Sequence, residues 1–285
     1  MKPKIDTRLS YSSGEVVANC SQKYFHKKIA STPFDPDYRD DYDAFNIGKA
    51  FHLVQEKLRH SGNPDRKLVL KSCKVNKCEE STALVHAMCL KYSKLHKKIG
   101  LECVATEFEI SNEKFVGFVD VVLKDKKGNW WVVDLKTASR IMPSKIARLS
   151  SDVQLNLYSY FYKEIATMFK LNPEKFKGAR YRVTTKSDIS QARGEGYVDF
   201  VKRIYTRVNS YEVVVPREVM TLDKTFKMHL KNHDLTMKLR DGRVKPKPNY
   251  GYCDSYFKPC EYWSQCHGDT YSNLTRKLNL VSADD

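Results

Sequence analysis

Three charged residues on two neighbouring apolar segments could act together: Asp120, Asp134 and Lys136. The segments flank the polar stretch Asp125–Asn129, in which Gly128 suits a left-handed turn position, so the sequence predicts a β-hairpin. If the loop occupies only the middle of that stretch, its two ends pair and Asp120 lies directly opposite Asp134. Alternate residues share a face of a strand, so Asp134 and Lys136 point the same way. We therefore expect two carboxylates and an ammonium on one patch of the sheet.

Facing carboxylates on a largely apolar sheet indicate metal chemistry. Like charges opposite each other destabilise a sheet, and a buried carboxylate without a partner is costly. Mg²⁺ or Mn²⁺ relieves both costs, because these ions are held by carboxylates, waters and substrate phosphate oxygens. Lys136 could then orient an attacking water or stabilise charge on the phosphate. The alternative is a surface hairpin with solvated Asp134 and Lys136, but the preceding run Trp130–Val133 is too apolar for a free surface strand.

Four short motifs that contain these residues, or flank them, follow one another along the chain. They are G-x-x-x-H at Gly48–His52, G-x-x-D at Gly117–Asp120, D-x-K at Asp134–Lys136 and Q-x-x-x-Y at Gln154–Tyr158. In this order and spacing the chain resembles the PD-(D/E)XK nuclease superfamily, and within it the RecB/AddB-like exonuclease branch. The resemblance runs from about Leu9 to Cys266.

The resemblance implies an α/β fold with a restriction-endonuclease-like core, in which helices flank a mixed central sheet. It also implies metal-dependent hydrolysis of DNA phosphodiester bonds, with Lys136 orienting the nucleophile and with Gln154 and Tyr158 positioning the scissile strand or the lysine. The Mg²⁺ or Mn²⁺ ligands that it implies are His52, Asp120, Asp134 and the carbonyl of Leu135. Glu107 stands where this family often has an acidic residue, although an exposed strand glutamate explains it as well.

Within that branch, an exonuclease that acts on single-stranded DNA or free ends is expected, in recombination, repair, phage DNA metabolism or CRISPR adaptation. The sequence has no Walker A motif, so the chain is not itself a helicase and would act alone or with a helicase or recombination partner. A net charge of +16 suits a polyanion such as nucleic acid. An anionic membrane surface is the rival partner, but no apolar or amphipathic anchor stands out. No secretion signal follows Met1, which predicts a cytoplasmic protein of a bacterial or archaeal cell or of a phage in its host.

Eight cysteines without a secretion signal favour reduced thiols or metal ligands over disulfides. Cys253, Cys260 and Cys266 lie close together in sequence, and Cys20 is the candidate for a fourth ligand. The resemblance implies that these four hold a four-iron four-sulfur cluster that joins the chain ends. Four thiolates would equally suit a structural Zn²⁺, and unligated buried thiols are the third interpretation. Cys73 and Cys78 have no partner pair at metal-site spacing, so we interpret them as incidental.

The predicted organisation is a single nuclease domain over residues 1–270, followed by a polar tail over 271–285. The domain divides into a helical part over about 10–100, a nuclease core over about 101–215, and a C-terminal helix with the cysteine cluster over about 216–268. Helices are predicted over 10–30, 42–60, 80–99, 151–170 and 217–240, a loop over 61–79 and a strand over 103–110. Further strand-like runs fall in 178–216, among them Tyr197–Val208.

Two other functions fit parts of the sequence. One is a non-catalytic nucleic-acid-binding or assembly protein with a relic nuclease site and a structural metal cluster, but the intact D…D-x-K set argues against it. The other is a zinc-stabilised RNA-binding factor, which the basic charge permits and the nuclease motifs do not explain. Metal-dependent turnover of DNA or RNA distinguishes all three.

Overall fold

The structure is a computed structural model that describes residues 7–35, 42–253 and 259–269. The chain forms two compact units. Unit 1 takes its described residues from Met1–Asp40, Asn112–Phe115 and Lys227–Asp285, and unit 2 from Asp41–Ser111 and Val116–Phe226. The tail predicted over 271–285 lies outside the described residues, and the domain boundaries drawn from the sequence stay a prediction. Among the described residues, no helix is both long and apolar enough to cross a membrane.

The N-terminal part of unit 1 contains a short strand β1 (Leu9–Ser10) and the helices α1 (Tyr11–Asn19) and α2 (Ser21–Tyr24). Ser10 caps α1, its hydroxyl accepting from the N–H of Ser13 at 3.3 Å. The single helix predicted over 10–30 is wrong, because Cys20 has an extended backbone (φ −156°, ψ 104°) that ends α1. The Cys20 sulfur instead accepts from the N–H of Lys23, at the start of α2.

Unit 2 begins with three helices: α3 (Tyr42–Lys57), α4 (Arg66–Val75) and α5 (Thr82–Ile99). The loop predicted over 61–79 is wrong where α4 occurs. Asp65 caps this helix by accepting from the N–H of Leu68 at 2.8 Å. Because only Val69, Ser72 and Cys73 of its residues are buried, the apolar pattern is too sparse to predict a helix from the sequence.

A mixed sheet forms the centre of unit 2, as the fold class predicts. Its strands lie in the order β2–β3–β4–β5–β6, with β4 and β5 parallel and the other pairs antiparallel. The strands are β2 (Glu102–Ser111), β3 (Phe115–Lys124), β4 (Trp130–Ala138), β5 (Phe176–Thr185) and β6 (Ser210–Pro216). Helices α6 (Pro143–Ala147), α7 (Val153–Tyr160) and α8 (Tyr162–Met168) connect β4 to β5. Antiparallel pairs within a sheet that also contains a parallel pair give the mixed topology expected of the superfamily.

The β3–β4 hairpin confirms the predicted register. The N–H of Asp125 donates to the carbonyl of Asn129 at 2.8 Å, and Gly128 has a φ of +80° in the loop between them. This left-handed conformation favours glycine, since it has no Cβ to clash. The hairpin therefore fixes which residues of the two strands lie side by side.

Helices α3, α4, α5 and α9 (Tyr197–Arg207) share one hydrophobic core with strands β3 and β4. A smaller core joins α7 to β5 and β6. The strand-like run predicted over Tyr197–Val208 is wrong: α9 buries Phe200, Val201 and Ile204, which are spaced as one face of a helix. Their β-branched and aromatic character suggested a strand, but the spacing of buried residues by three and four decides the structure.

The C-terminal part of unit 1 contains most of α10 (Leu222–Arg240) and the short helix α11 (Trp263–His267). Leu239 packs in a core with Leu9, Val17 and Tyr24. Residues that are far apart in sequence therefore build this unit together.

Candidate functional site

Three neighbouring strands bring a carboxylate to the same level of the unit 2 sheet. The residues on either side of Glu107 pair with those on either side of Asp120, so these two residues face each other across β2 and β3. The β3–β4 pairing ends at Val121 with Val133, and Asp120 and Asp134 follow at the next position. The predicted opposition of Asp120 and Asp134 thus extends to a third acidic residue. Such a row is destabilising unless cations balance it.

His52 lies at one end of this row. Its Nε2 is 3.1 Å from the carbonyl oxygen of Leu135, while its Nδ1 is 3.4 Å from Glu107 Oε1 and 4.0 Å from Asp120 Oδ1. A proton on Nε2 would be donated to Leu135, which leaves the Nδ1 lone pair directed at two carboxylates that also only accept. Donor atoms of His52, Glu107 and Asp120 all lie within 4.8 Å of one another. A cation among them satisfies all three, so this donor set fits Mg²⁺ or Mn²⁺.

The two aspartates of the row are buried. Asp134 is 1 % exposed, and burial raises its pKa to about 6 despite the ammonium of Lys136 beside it. Burial also raises the pKa of Asp120, although its Oδ2 accepts from the N–H of Leu135 at 2.7 Å. The raised pKa values mean that neighbouring groups do not fully offset the cost of burying these carboxylates, and groups perturbed in this way concentrate at functional sites.

Lys136 links β4 to α7. Its ammonium donates to Asp134 Oδ1 at 2.8 Å and to Gln154 Oε1 at 2.9 Å, and Gln154 Nε2 donates to the Tyr158 hydroxyl at 3.2 Å. Burial alone would lower the pKa of Lys136, but the carboxylates of Asp134 and Asp120 raise it above its ordinary value. Burial raises the pKa of Tyr158 to about 12. Lys136 is therefore a fixed ammonium, held in place by groups from both the D-x-K and the Q-x-x-x-Y motif.

Close packing of α3 on β4 positions His52. A Cβ atom at Gly48 would lie 3.3 Å from Thr137 Oγ1, closer than most side chains allow, so glycine permits this approach. His52 follows one turn later on the same side of the helix. This explains in local terms why a glycine stands four residues before the histidine.

The N-terminus of α7 is fixed by Asp152. Its carboxylate accepts from the N–H of Leu155 at 3.1 Å and from the ammonium of Lys145 at 2.6 Å. An aspartate cap satisfies a backbone donor that the helix itself leaves without an acceptor. It sets the start of the helix that presents Gln154 and Tyr158.

A pocket of about 650 Å³ opens beside these residues. His52, Glu107, Leu135 and Lys136 line it towards the sheet. Its lining also includes Phe45, Lys49 and Lys186. Substrate therefore has room next to the carboxylate row.

Glu107 is the member of the site that the sequence left open. It adopts a φ of +43°, a conformation that residues other than glycine rarely take. Its strand is also irregular, with a register shift between Cys103 and Ala105. Strict alternation along β2 therefore could not say where its side chain points, and the G-x-x-x-H and D-x-K motifs do not include it.

The four cysteines predicted to bind a metal lie together in unit 1. Cys20, Cys253, Cys260 and Cys266 all line one small cavity. The N–H of Cys260 donates to the carbonyl of Cys253 at 2.6 Å. Burial, followed by the neighbouring Cys20 and Cys260 thiols, raises the pKa of Cys266. Residues 254–258 lie outside the described residues.

Ion pairs that sequence reasoning missed connect the two parts of the chain that carry these cysteines. Glu261, next to Cys260, lies 2.6 Å from the ammonium of Lys23 and 3.2 Å from that of Lys27. The Glu261 side chain is only 7 % exposed, so these pairs are less screened than surface pairs. They hold the N-terminal cysteine near the C-terminal ones.

Three of the remaining cysteines belong to the hydrophobic core of unit 2. Cys73, Cys78 and Cys89 are buried there among apolar side chains from the helices. Burial raises the pKa of Cys73 and Cys89, which favours the neutral thiol.

Comparison with known proteins identifies the class. Residues 8–267 match the family model of the PD-(D/E)XK nuclease superfamily. The chain belongs to this superfamily, whose members are metal-dependent nucleases that cleave phosphodiester bonds. The predicted superfamily is confirmed, whereas the RecB/AddB-like branch stays a prediction.

Other comparisons add no closer assignment. No curated protein matches the chain. A solved structure titled "Crystal structure of SSO0001" is 11 % identical, with a TM-score of 0.32, and the match covers 91 % of this chain and 100 % of that one. A TM-score this low does not indicate a common fold.

Proposed function

We propose that this protein is a Mg²⁺- or Mn²⁺-dependent deoxyribonuclease, and specifically an exonuclease that acts on single-stranded DNA or on free ends. The observation that carries the proposal is the position of Lys136. Lys136 lies on β4, next to the strand that carries Asp120 of the His52–Glu107–Asp120 group. Its ammonium donates to both Asp134 and Gln154. A fixed cation beside a metal site suits phosphodiester hydrolysis, because both stabilise the charge that develops on the phosphate.

The residues that would hold the metal are His52, Glu107 and Asp120, with Asp134 and the carbonyl of Leu135 as further ligands. A carbonyl oxygen has two lone pairs, so Leu135 can accept from His52 and still offer a ligand. When bound, the metal lowers the pKa of a coordinated water and balances charge on the phosphate.

The catalytic role that we assign to Lys136 follows from its contacts. An ammonium held by Asp134 and Gln154 retains a third proton for a further acceptor. That N–H can donate a hydrogen bond to the attacking water or to a phosphate oxygen, while the ammonium keeps its proton. Tyr158 retains its proton near neutral pH and therefore acts as an orienting group for Gln154, not as a base.

Cleavage of end-labelled single- and double-stranded DNA by the full chain tests this proposal, with Mn²⁺, Mg²⁺ or EDTA. We expect metal-dependent loss of terminal nucleotides, which Asp120→Ala and Lys136→Ala abolish while DNA binding persists. Lys202→Ala is a matched control, because this exposed lysine lies on α9 in a pair with Asp199. Unchanged cleavage by the Lys136→Ala protein would sink the assignment. DNA binding without cleavage by the unmodified chain would favour a relic site.

We further propose that Cys20, Cys253, Cys260 and Cys266 bind one metal centre, a four-iron four-sulfur cluster, with structural Zn²⁺ as the alternative. Four thiolates suit either centre. Among the described residues, no three of these sulfur atoms all lie within 4.8 Å of one another. Tetrahedral zinc with bonds of about 2.3 Å needs sulfurs about 3.8 Å apart, so these thiols would have to move closer together to hold it. The cavity measures only about 10 Å³, so either centre would displace part of the packing.

Absorption spectra and metal analysis of anaerobically purified protein distinguish these centres. A cluster predicts a brown protein absorbing near ~400 nm with about four iron atoms per chain. Cys20→Ser should lose the chromophore, and Cys103→Ser, which alters a half-buried thiol of unit 2, should keep it. A colourless protein with one zinc supports the alternative, and a protein free of both metals contradicts the proposal.

A further inference from the structure

One face of α3 continues from the metal site to the mouth of the pocket. Phe45, Lys49 and His52 follow at helical spacing, and all three line the pocket. His52 reaches the carboxylate row, whereas Phe45 stands two turns away along the same face. The helix therefore connects the reacting centre to a point where the next part of a substrate would lie.

Phe45 is a large apolar side chain in solvent. It is 61 % exposed, so the core does not explain its presence. The ammonium of Lys49 lies 4.2 Å from the centre of its ring. An aromatic ring with an adjacent cation at the edge of a pocket suits a ligand that combines a flat apolar group with negative charge.

Lys186 supplies a second ammonium at the same mouth. It follows β5, where its N–H donates to the carbonyl of Ala138 at 2.8 Å. Its ammonium donates to the carbonyl of Ala44 at 2.9 Å, next to Phe45. Two lysines thus lie near the ring at this mouth of the pocket.

We infer that Phe45 stacks on an unpaired nucleobase of the strand that is cleaved, while Lys49 contacts a phosphate beside that base. The inference rests on the proposed nuclease function and adds the residue that recognises the strand. A base inside a duplex is already stacked on both sides, so Phe45 can engage only single-stranded or frayed DNA. Base–aromatic stacking of this kind is sequence-tolerant, and its loss weakens binding by roughly 5- to 150-fold.

Binding measurements in the Lys136→Ala background test the inference apart from cleavage. Fluorescence anisotropy with a labelled single-stranded oligonucleotide should show that Phe45→Leu weakens binding by roughly 5-fold or more, and that Phe45→Trp restores it. The matched control is Tyr211→Leu, which alters an aromatic residue of β6 that is 46 % exposed and not among the described residues lining the pocket. Blunt duplex DNA should show a smaller loss than the single strand.

Oligonucleotides with one abasic position identify the stacking partner. At one position, removal of the base should weaken binding by the parent protein as much as Phe45→Leu does, and the two changes together should add little. The inference would be overturned if removal of a base weakened binding equally for the parent and for Phe45→Leu at every position. It would also be overturned if Phe45→Leu bound single-stranded DNA within twofold of the parent.

The outcomes also distinguish this inference from the proposed function. Phe45-dependent binding without any cleavage by the unmodified chain would overturn the nuclease and keep the stacking role. Metal-dependent cleavage, together with DNA binding that does not change when Phe45 is replaced, would keep the nuclease and overturn the stacking role. A chain that binds no DNA would overturn both.

Discussion

Glu107 and Asp120 face each other on neighbouring antiparallel strands, and His52 lies against both carboxylates. This relationship gives unit 2 a candidate metal site built from two consecutive strands and from His52 of α3, 55 residues before Glu107. Its contacts, together with those of Lys136, lead to the first three of four further predictions, and the fourth concerns a buried histidine elsewhere in unit 2.

Replacement of Glu107 by Gln should weaken metal binding, because an amide keeps the size of the side chain and loses its charge. We expect the Mn²⁺ concentration for half-maximal cleavage to rise by at least about tenfold. Metal titrations of the cleavage rate measure this. Glu102→Gln changes an exposed glutamate of the same strand and serves as the control. Equal metal dependence of the two variants would show that Glu107 is no ligand.

Replacement of Gln154 by Ala should release Lys136 from its contact with α7. A hydrogen bond to a charged group contributes about 1.5–3 kcal/mol, so we expect kcat to fall by roughly 10- to 150-fold. Single-turnover rates at saturating DNA separate this effect from binding. Tyr158→Phe removes only the Gln154–Tyr158 bond and should reduce kcat less. A larger fall in kcat for Tyr158→Phe than for Gln154→Ala would contradict the conclusion that Tyr158 acts on Lys136 only through Gln154.

Cleavage should require ionised Asp134, whose pKa is raised to about 6 by burial. Because the protonated acid cannot balance a cation, kcat/KM at low Mn²⁺ should fall as pH drops below about 6, with a slope of at least about tenfold per pH unit. More Mn²⁺ should move the midpoint to lower pH, since bound metal favours the carboxylate. A rate profile from pH 5 to 8 at two Mn²⁺ concentrations measures this. A flat profile, with the fold intact by circular dichroism, would contradict it.

Stability at acidic pH should depend on His96, which lies away from the carboxylate row. Its Nδ1 is 2.9 Å from Nη1 of the buried Arg182, so it must accept there. Burial first, and then Arg182, lowers the pKa of His96 to about 4. The unfolded chain therefore binds one more proton than the folded chain between pH 6.5 and 4. Stability is lost as pH falls through this window, by about 2 kcal/mol between pH 7 and 5.

Urea unfolding at pH 7 and at pH 5 measures this dependence. His96→Gln should remove that part of the pH dependence, whatever it does to stability at pH 7. An unchanged pH dependence in the variant would show that His96 is not the group responsible.

The hairpin was predictable because two local rules agree on it. Apolar alternation defines both strands, and Gly128 fits the left-handed turn that sets their register. Asp120, Asp134 and Lys136 follow from that register alone. The positions of His52 and Gln154 needed the spacing of the family motifs, since contacts between α3, α7 and β4 are not local.

Other features depend on packing that the sequence does not reveal. Glu107 reaches the site from an irregular strand in a rare backbone conformation, so alternation could not place it. The sequence of α9 predicts a strand because residues such as Val201 and Ile204 are frequent in strands. Phe45 has an ordinary place in a helical pattern, and only its exposure distinguishes it from a core residue.

The composition of unit 1 has a consequence for how the protein is made on the ribosome. This unit combines Met1–Asp40 with Lys227–Asp285, whereas every residue of unit 2 precedes Lys227. Domains generally fold as their residues emerge from the ribosome, so unit 2 can fold during translation before Lys227–Asp285 has been made. Until then Met1–Asp40 lacks the segment with which it forms unit 1. Cys20 then meets Cys253, Cys260 and Cys266 only after all of unit 2 has been synthesised. The metal centre proposed at these cysteines would therefore be loaded after the nuclease site of unit 2 has formed.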